Sequence, residues 1–165
     1  MFWRKKGKDA NGEGKMLFGS DLHGANVCFK KFVNSAKFYS ADVLVLGGDL
    51  TGKAVIPIAE QADGSFLAFQ HGEQVKIDSK NELDEFVKRQ GNIGFYPAVM
   101  PESEYQRLKA DPEEQAALFK RLVLERVREW AEFAAGKLKG TEIPLVTLPG
   151  NDEGARTEDR AAPTW

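Results

Sequence analysis

The sequence predicts an α/β protein with a central, mostly parallel sheet and flanking helices. Three apolar runs, "KMLFG", "DVLVL" and "IPLVTL", have the length and composition of buried strands. A segment with apolar residues at helical spacing joins the first two runs, giving the strand–helix–strand order typical of parallel sheets. The unbroken apolar run of the second strand, "DVLVL", also predicts that both faces of that strand are covered.

The composition fits one globular domain. The chain has 165 residues, 42% hydrophobic and 29% charged, with a net charge of -2 that favours neither nucleic acid nor a membrane. The single cysteine, Cys28, excludes an intrachain disulfide and fits a reducing compartment. No apolar run approaches the roughly 20 residues of a membrane span, and the basic start lacks the apolar core of a secretory signal. We therefore expect a cytoplasmic protein.

The first elements follow a tail, residues 1–14, that we expect to be solvated. The first strand is predicted at Lys15–Gly19 and the second at Asp42–Leu46. Between them, apolar residues at helical spacing predict a helix with Cys28 in the core; its predicted packing face is Val27, Cys28, Phe32, Val33, Ala36 and Tyr39.

The middle of the chain predicts a small antiparallel meander. Turn dipeptides at residues 63–64 and 71–72 separate three short strand-like runs. A helix follows, with Ser79 and Glu82 spaced as a capping box and Gly91 as its expected C-cap. The segment around Pro97 and Pro101 is predicted to be irregular and then briefly helical.

A long helix is the clearest predicted element. Asp111 is a suitable N-cap, Pro112 fits the first helical position, and Gly140 marks the end. We expect its packing stripe to be Leu118, Leu122, Val123, Arg126, Val127, Trp130, Phe133 and Ala134. The third strand is predicted at Ile143–Leu148, and residues 154–165 show no pattern.

Metal-binding side chains follow each of the three strands. They are Asp21 and His23 after the first, Asp49 after the second, and Asn151, Asp152 and Glu153 after the third. Parallel strands end at one edge of a sheet, where ligands bind. Carboxylate, imidazole and amide oxygen together suit a divalent transition metal, and Asp49 could bridge two ions about 3.5–4 Å apart. The alternative is that these residues are ordinary turn residues, and this holds most strongly for Asp152 and Glu153.

The three motifs "DLHG", "GGDLTG" and "PGNDE", in this order, resemble the calcineurin-like metallophosphoesterase superfamily, in its prokaryotic branch with a long insertion between the second and third motifs. The resemblance covers residues 15–153, with the insertion at 54–110, and implies the N-terminal part of an α/β/β/α sandwich. It further implies two divalent ions (Mn, Fe or Zn), with Asp21 and His23 on the first, Asp49 bridging and Asn151 on the second. The implied reaction is hydrolysis of a phosphomonoester or phosphodiester, either a small molecule or a nucleotide.

The sequence departs from the family pattern in two places. Asp152 stands where many members have a histidine that assists the leaving group, so a catalytic role for Asp152 stays open. The family's later histidines are absent; the only other histidine, His71, precedes the third motif. We therefore expect the chain to lack the C-terminal part, to hold one ion or none firmly, and to leave one sheet face uncovered for self-association. The alternative function is an inactive remnant that binds metal or phosphate weakly.

A second phosphate-binding pattern is a remote alternative. "GGDLTGKA" matches the glycine and lysine spacing of a P-loop, but Ala54 stands where a P-loop needs Ser or Thr. Pro57 also disfavours the helix that a P-loop requires next. Lys53 remains a candidate for attracting an anionic substrate.

Overall fold

The computed structural model describes residues 14–70, 72–148 and 150. The α/β class is confirmed, and the opening strand–helix–strand unit is present. The elements in chain order are β1 (Met16–Gly19), α1 (Asn26–Phe38), β2 (Val43–Leu46), β3 (Val55–Glu60), β4 (Phe66–Gln70), β5 (Glu73–Ile77), α2 (Lys80–Asn92), β6 (Tyr96–Pro101), α3 (Glu102–Ala110), α4 (Pro112–Leu138) and β7 (Leu145–Thr147).

The described strands form two sheets. The first is a three-stranded parallel sheet in the order β1-β2-β7, in which Leu44 is paired with Leu17 on one side and Leu145 on the other. The second is a four-stranded sheet in the order β5-β4-β3-β6. Its strands β3, β4 and β5 pair antiparallel, which confirms the predicted meander.

Strand β6 corrects the prediction of irregular chain around Pro97 and Pro101. It pairs in parallel with β3 over its whole length, from Tyr96 to Pro101. Proline cannot donate to a ladder, but β6 is an edge strand and pairs on one side only, where this loss is tolerated.

Helix α2 begins as predicted and ends later. The Ser79 hydroxyl accepts from the Glu82 backbone N–H at 3.2 Å, which confirms the N-cap. Gly91 is not the C-cap, because it is buried inside the helix. The helix ends at Asn92, and Gly94 adopts the left-handed conformation with a φ of 99°. The glycine with the left-handed conformation after this helix is therefore Gly94 and not the predicted Gly91.

Helix α4 confirms its predicted start. The Asp111 carboxylate accepts from the backbone N–H groups of Glu113 and Glu114 at 2.9 and 3.2 Å, and Pro112 occupies the first helical position. Most of the predicted stripe is buried or half-buried, whereas Val127 is exposed. This helix packs against α1, which covers the three-stranded sheet, and against α3, which covers the four-stranded sheet. It therefore connects the two sheets.

Helix α1 is rotated relative to the predicted packing face. Its buried residues are Phe29, Val33 and Ala36. Cys28 is exposed, so the prediction of a core cysteine is wrong. Successive helical residues point about 100° apart, and burial of Phe29 therefore turns Cys28 outward; Val27 and Tyr39 are exposed as well.

The three-stranded sheet buries one face in the described part of the chain. Leu44 and Leu46 are fully buried beneath α1 and α4. On the other face, Met16 and Phe18 are 63% and 62% exposed, and Val146 is exposed as well. The prediction of cover on both faces concerned β2, whose two residues on this face are half-buried. The exposure of the neighbouring strands agrees with the expected uncovered face in the described part of the chain. Self-association through this face stays a prediction.

Several sequence-based predictions fall outside the described residues. These are the tails at 1–13 and 154–165, the turn residue His71 and the third motif from Asn151 onward. None of the described helices combines the length and the apolar character needed to cross a bilayer.

Candidate metal centre

Two loops at the carboxyl ends of β1 and β2 carry the predicted metal ligands. We call residues 20–25 the first loop and residues 47–54 the second loop. Backbone hydrogen bonds continue between them beyond the strands: the N–H groups of Asp21, His23 and Gly24 donate to Gly48, Asp49 and Leu50 at 3.2, 3.0 and 2.8 Å. This ladder places Asp49 directly beside His23, as the strand-end argument predicts.

The predicted metal ligands have an unusual backbone conformation. Among the described residues, the non-glycine positions with positive φ are Asp21 at 58°, His23 at 43°, Asp49 at 50° and Ser40 at 51°. Most side chains disfavour this left-handed region because Cβ crowds the carbonyl oxygen, at a cost of about 1–2 kcal/mol per residue. Asp and His are among the non-glycine residues that occur there most often, so their cost lies at the low end of this range. All but one of these strained positions are predicted metal ligands.

The side chains of Asp21 and His23 approach each other. His23 Nε2 lies 3.9 Å from Asp21 Oδ1, and the two side chains are 43% and 63% exposed. Ser20 Oγ donates to Asp21 Oδ2 at 2.5 Å, which orients the carboxylate. Metal–nitrogen and metal–oxygen bonds are about 2.0–2.2 Å long, so an ion bound to both groups would span this separation. The two side chains are therefore close enough to contact one ion, and both are open to solvent.

Within the described part of the chain, the structure brings together the predicted ligands of the first two motifs. The described residues contain no group of three or more His, Cys, Asp or Glu side chains placed to hold a metal. Asp49 is adjacent through its backbone, and Asn151, Asp152 and Glu153 lie outside the described residues. The P-loop alternative is disfavoured, since the chain after Lys53 enters strand β3 and not a helix.

Three glycines allow close contact between the loops and the predicted insertion. They are Gly24 in the first loop, Gly52 in the second, and Gly94, which precedes β6. A Cβ on Gly24 would lie 2.5 Å from the Gly52 Cα, a Cβ on Gly52 would overlap the Gly94 carbonyl, and one on Gly94 would overlap the His23 carbonyl. These glycines therefore allow the three backbone segments to come into direct contact.

Behind the two loops lies a buried arginine that the sequence reasoning assigned only to packing. The side chain of Arg126 in α4 is 11% exposed. Its Nη1 donates to the carbonyl oxygens of Gly24 at 2.6 Å and Gly91 at 3.3 Å, and its guanidinium lies 5.1 Å from the centroid of the Tyr96 ring. Burial lowers the pKa of Arg126, which Tyr96 and Glu129 partly oppose. The sequence did contain one signal for this buried polar contact, a cationic residue within an otherwise apolar helical stripe.

Tyr96 reaches the second loop directly. Its hydroxyl accepts from the Gly52 backbone N–H at 2.6 Å, and the Lys53 N–H donates to the Gly94 carbonyl at 2.9 Å. A further contact joins α4 to α1: Trp130 Nε1 donates to Asn26 Oδ1 at 2.6 Å, and its ring stacks on Phe29 at 4.3 Å. The second loop is thus held by Tyr96 and Gly94, which are distant from it in the sequence.

Comparison of the chain with protein-family models, curated proteins and solved structures finds no match.

Proposed function

We propose that this chain is a metal-dependent phosphoesterase domain of the calcineurin-like type, corresponding to the N-terminal part of that family's sandwich. In this proposal Asp21 and His23 hold one divalent ion, Asp49 bridges to a second, and Asn151 contributes to the second. The observation that carries the proposal is that Asp21, His23 and Asp49 all have a positive φ on adjacent loops.

Backbone strain supports a functional reading of these residues. Strained non-glycine residues persist where the surrounding structure holds them, and they cluster at active sites and ligand clamps. Glycine would avoid the strain at all three positions. Side chains that bind a ligand give a reason for retaining Asp, His and Asp there.

The proposed chemistry is hydrolysis of a phosphoester. When bound, divalent ions would neutralise charge on the phosphoryl group and lower the pKa of a coordinated water. The exposed Asp21 and His23 leave room for substrate beside the ion. Lys53 is an exposed residue of the second loop and supplies a positive charge that attracts an anionic ester.

The test is hydrolysis of bis-p-nitrophenyl phosphate with Mn²⁺, together with calorimetric titration of Mn²⁺ into the metal-free protein. We expect Asp49→Asn to abolish Mn²⁺-dependent hydrolysis. Asparagine also tolerates a positive φ, so this substitution removes the carboxylate while keeping the loop conformation.

The matched control is Asp42→Asn at the opposite end of β2. The Asp42 carboxylate accepts from the Lys15 backbone N–H at 2.8 Å and lies outside the two loops. Activity should survive this change. Hydrolysis that persists after chelation and in Asp49→Asn would refute the proposal.

A second candidate is a domain that binds metal or phosphate without turnover. It is favoured by the lack of a three-ligand group among the described residues, since zinc-type sites use at least three protein ligands. Titratable Mn²⁺ binding that is lost in Asp49→Asn, without hydrolysis of any phosphoester tested, would support this candidate.

A further inference from the structure

The predicted insertion, residues 54–110, contacts the backs of both loops through a small number of polar groups. Gly52 N–H donates to the Tyr96 hydroxyl at 2.6 Å, and Tyr96 lies in β6, inside the insertion. The Tyr96 ring in turn lies beneath the guanidinium of Arg126 at 5.1 Å. The Tyr96 side chain therefore contacts the second loop through its hydroxyl and Arg126 of α4 through the face of its ring.

Arg126 makes the corresponding contact with the first loop. Its Nη1 donates at 2.6 Å to the carbonyl of Gly24, the residue that follows His23, and at 3.3 Å to the carbonyl of Gly91 in the insertion. Burying a guanidinium is costly unless its N–H groups are satisfied. Here two of the acceptors are backbone carbonyls, one from the first loop and one from α2.

We propose that Tyr96 and Arg126 are positioning residues, through which the insertion and α4 fix the two loops in the strained conformation that presents Asp21, His23 and Asp49. This inference rests on the proposed function. It adds that the insertion determines how well the ligands are preorganised. Groups that orient metal ligands typically change metal affinity about 10–100-fold when removed.

Tyr96→Phe is the main test because it removes only the hydroxyl and keeps the ring beneath Arg126. We expect Mn²⁺ affinity, measured by calorimetric titration of the full chain, to fall about 10-fold. Amide hydrogen exchange of the metal-free protein should become faster in residues 47–54 and stay unchanged in β4 and β5.

Tyr105→Phe is the matched control. Tyr105 lies in α3, is buried, and belongs to the same apolar cluster as Tyr96. Its ring stacks on the ring of Phe69, with the two centroids 4.2 Å apart. It should retain wild-type Mn²⁺ affinity and wild-type exchange in residues 47–54. Equal losses of Mn²⁺ affinity in both variants would show a general effect of core damage and would overturn the inference.

Arg126→Lys provides a second, independent variant. Lysine keeps the charge but lacks the planar fork, so we expect weaker Mn²⁺ binding than in Arg121→Lys, a change at an exposed arginine of the same helix. If wild type binds Mn²⁺, Asp49→Asn abolishes binding, and Tyr96→Phe and Arg126→Lys match wild type, only the inference fails. If wild type binds no Mn²⁺, the proposed function fails and the inference fails with it.

Discussion

His23 offers a direct measurement of the strain in the first loop. With a φ of 43°, an alanine at this position would keep the crowding of Cβ, whereas glycine would relieve it. The relief is about 1–2 kcal/mol, and the added freedom of glycine in the unfolded chain returns about 0.4–1 kcal/mol. We therefore expect His23→Gly to be more stable than His23→Ala by about 0.8 kcal/mol.

The comparison is between two variants that both lack the imidazole, so side-chain contacts cancel. Urea unfolding followed by circular dichroism measures the difference, which corresponds to a midpoint shift of about 0.4 M for a typical slope. Ser40, with a φ of 51° outside the site, should behave in the same way. Lys139, exposed with a φ of -54°, should show the opposite order, with alanine the more stable.

The order of stability at position 23 decides the matter. If alanine at position 23 is as stable as glycine or more stable, the order expected at Lys139, the loop carries no left-handed strain in solution and the main support for the proposed function is lost. Both variants should also bind Mn²⁺ more weakly than wild type, because each removes a proposed ligand.

Two further predictions concern stability. The hydroxyl and backbone N–H of Ser65 donate to the Asp63 carboxylate and lower its pKa below the ordinary value of 3.8. The stabilisation from Asp63 is therefore present above the pKa of this carboxyl in the unfolded chain, and it is lost as pH falls through the lower pKa of the folded protein. We expect the melting-temperature difference between wild type and Asp63→Asn to shrink in acid. A difference that stays constant with pH would contradict this. In urea unfolding, Leu44→Ala should lower the free energy of unfolding by about 2–5 kcal/mol because Leu44 is fully buried. Phe18→Ala should lower it by less than about 1 kcal/mol because Phe18 is exposed. Equal losses would indicate that the exposed sheet face is covered in solution.

Local sequence signals predicted the elements that are determined locally. Asp111 and Pro112 fixed the start of α4, and the turn dipeptides of the meander fixed two hairpins, because caps and turns depend on neighbouring residues. The strand-end argument placed Asp49 beside His23 because parallel strands share an edge. The predicted ligand of the third motif, Asn151, stays a prediction because it lies outside the described residues.

The errors arose where tertiary contacts decide the outcome. Pro97 suggested irregular chain, yet an edge position makes proline acceptable in β6. Periodicity could not fix the phase of α1 to within one residue, so Cys28 was assigned to the wrong face. The contact of Arg126 with Gly24 joins residues 102 positions apart, and periodicity carries no information at that range.

The contact among Gly24, Gly52 and Gly94 bears on how far this protein can be treated as modular. Loop insertions are often regarded as parts that can be excised or exchanged, but tolerance depends on the burial and bonding of the affected backbone. Deleting residues 54–110 would remove Gly94 and Tyr96 together and deprive the Gly52 N–H of its acceptor. A transplanted segment would need its own glycine at the contact and its own hydroxyl to receive that N–H. Engineering of this chain should therefore graft new sequence at the Asp63–Gly64 hairpin, where a Cβ on Gly64 would meet no neighbour within 4 Å, and the graft should keep a glycine at position 64 because its φ is 80°.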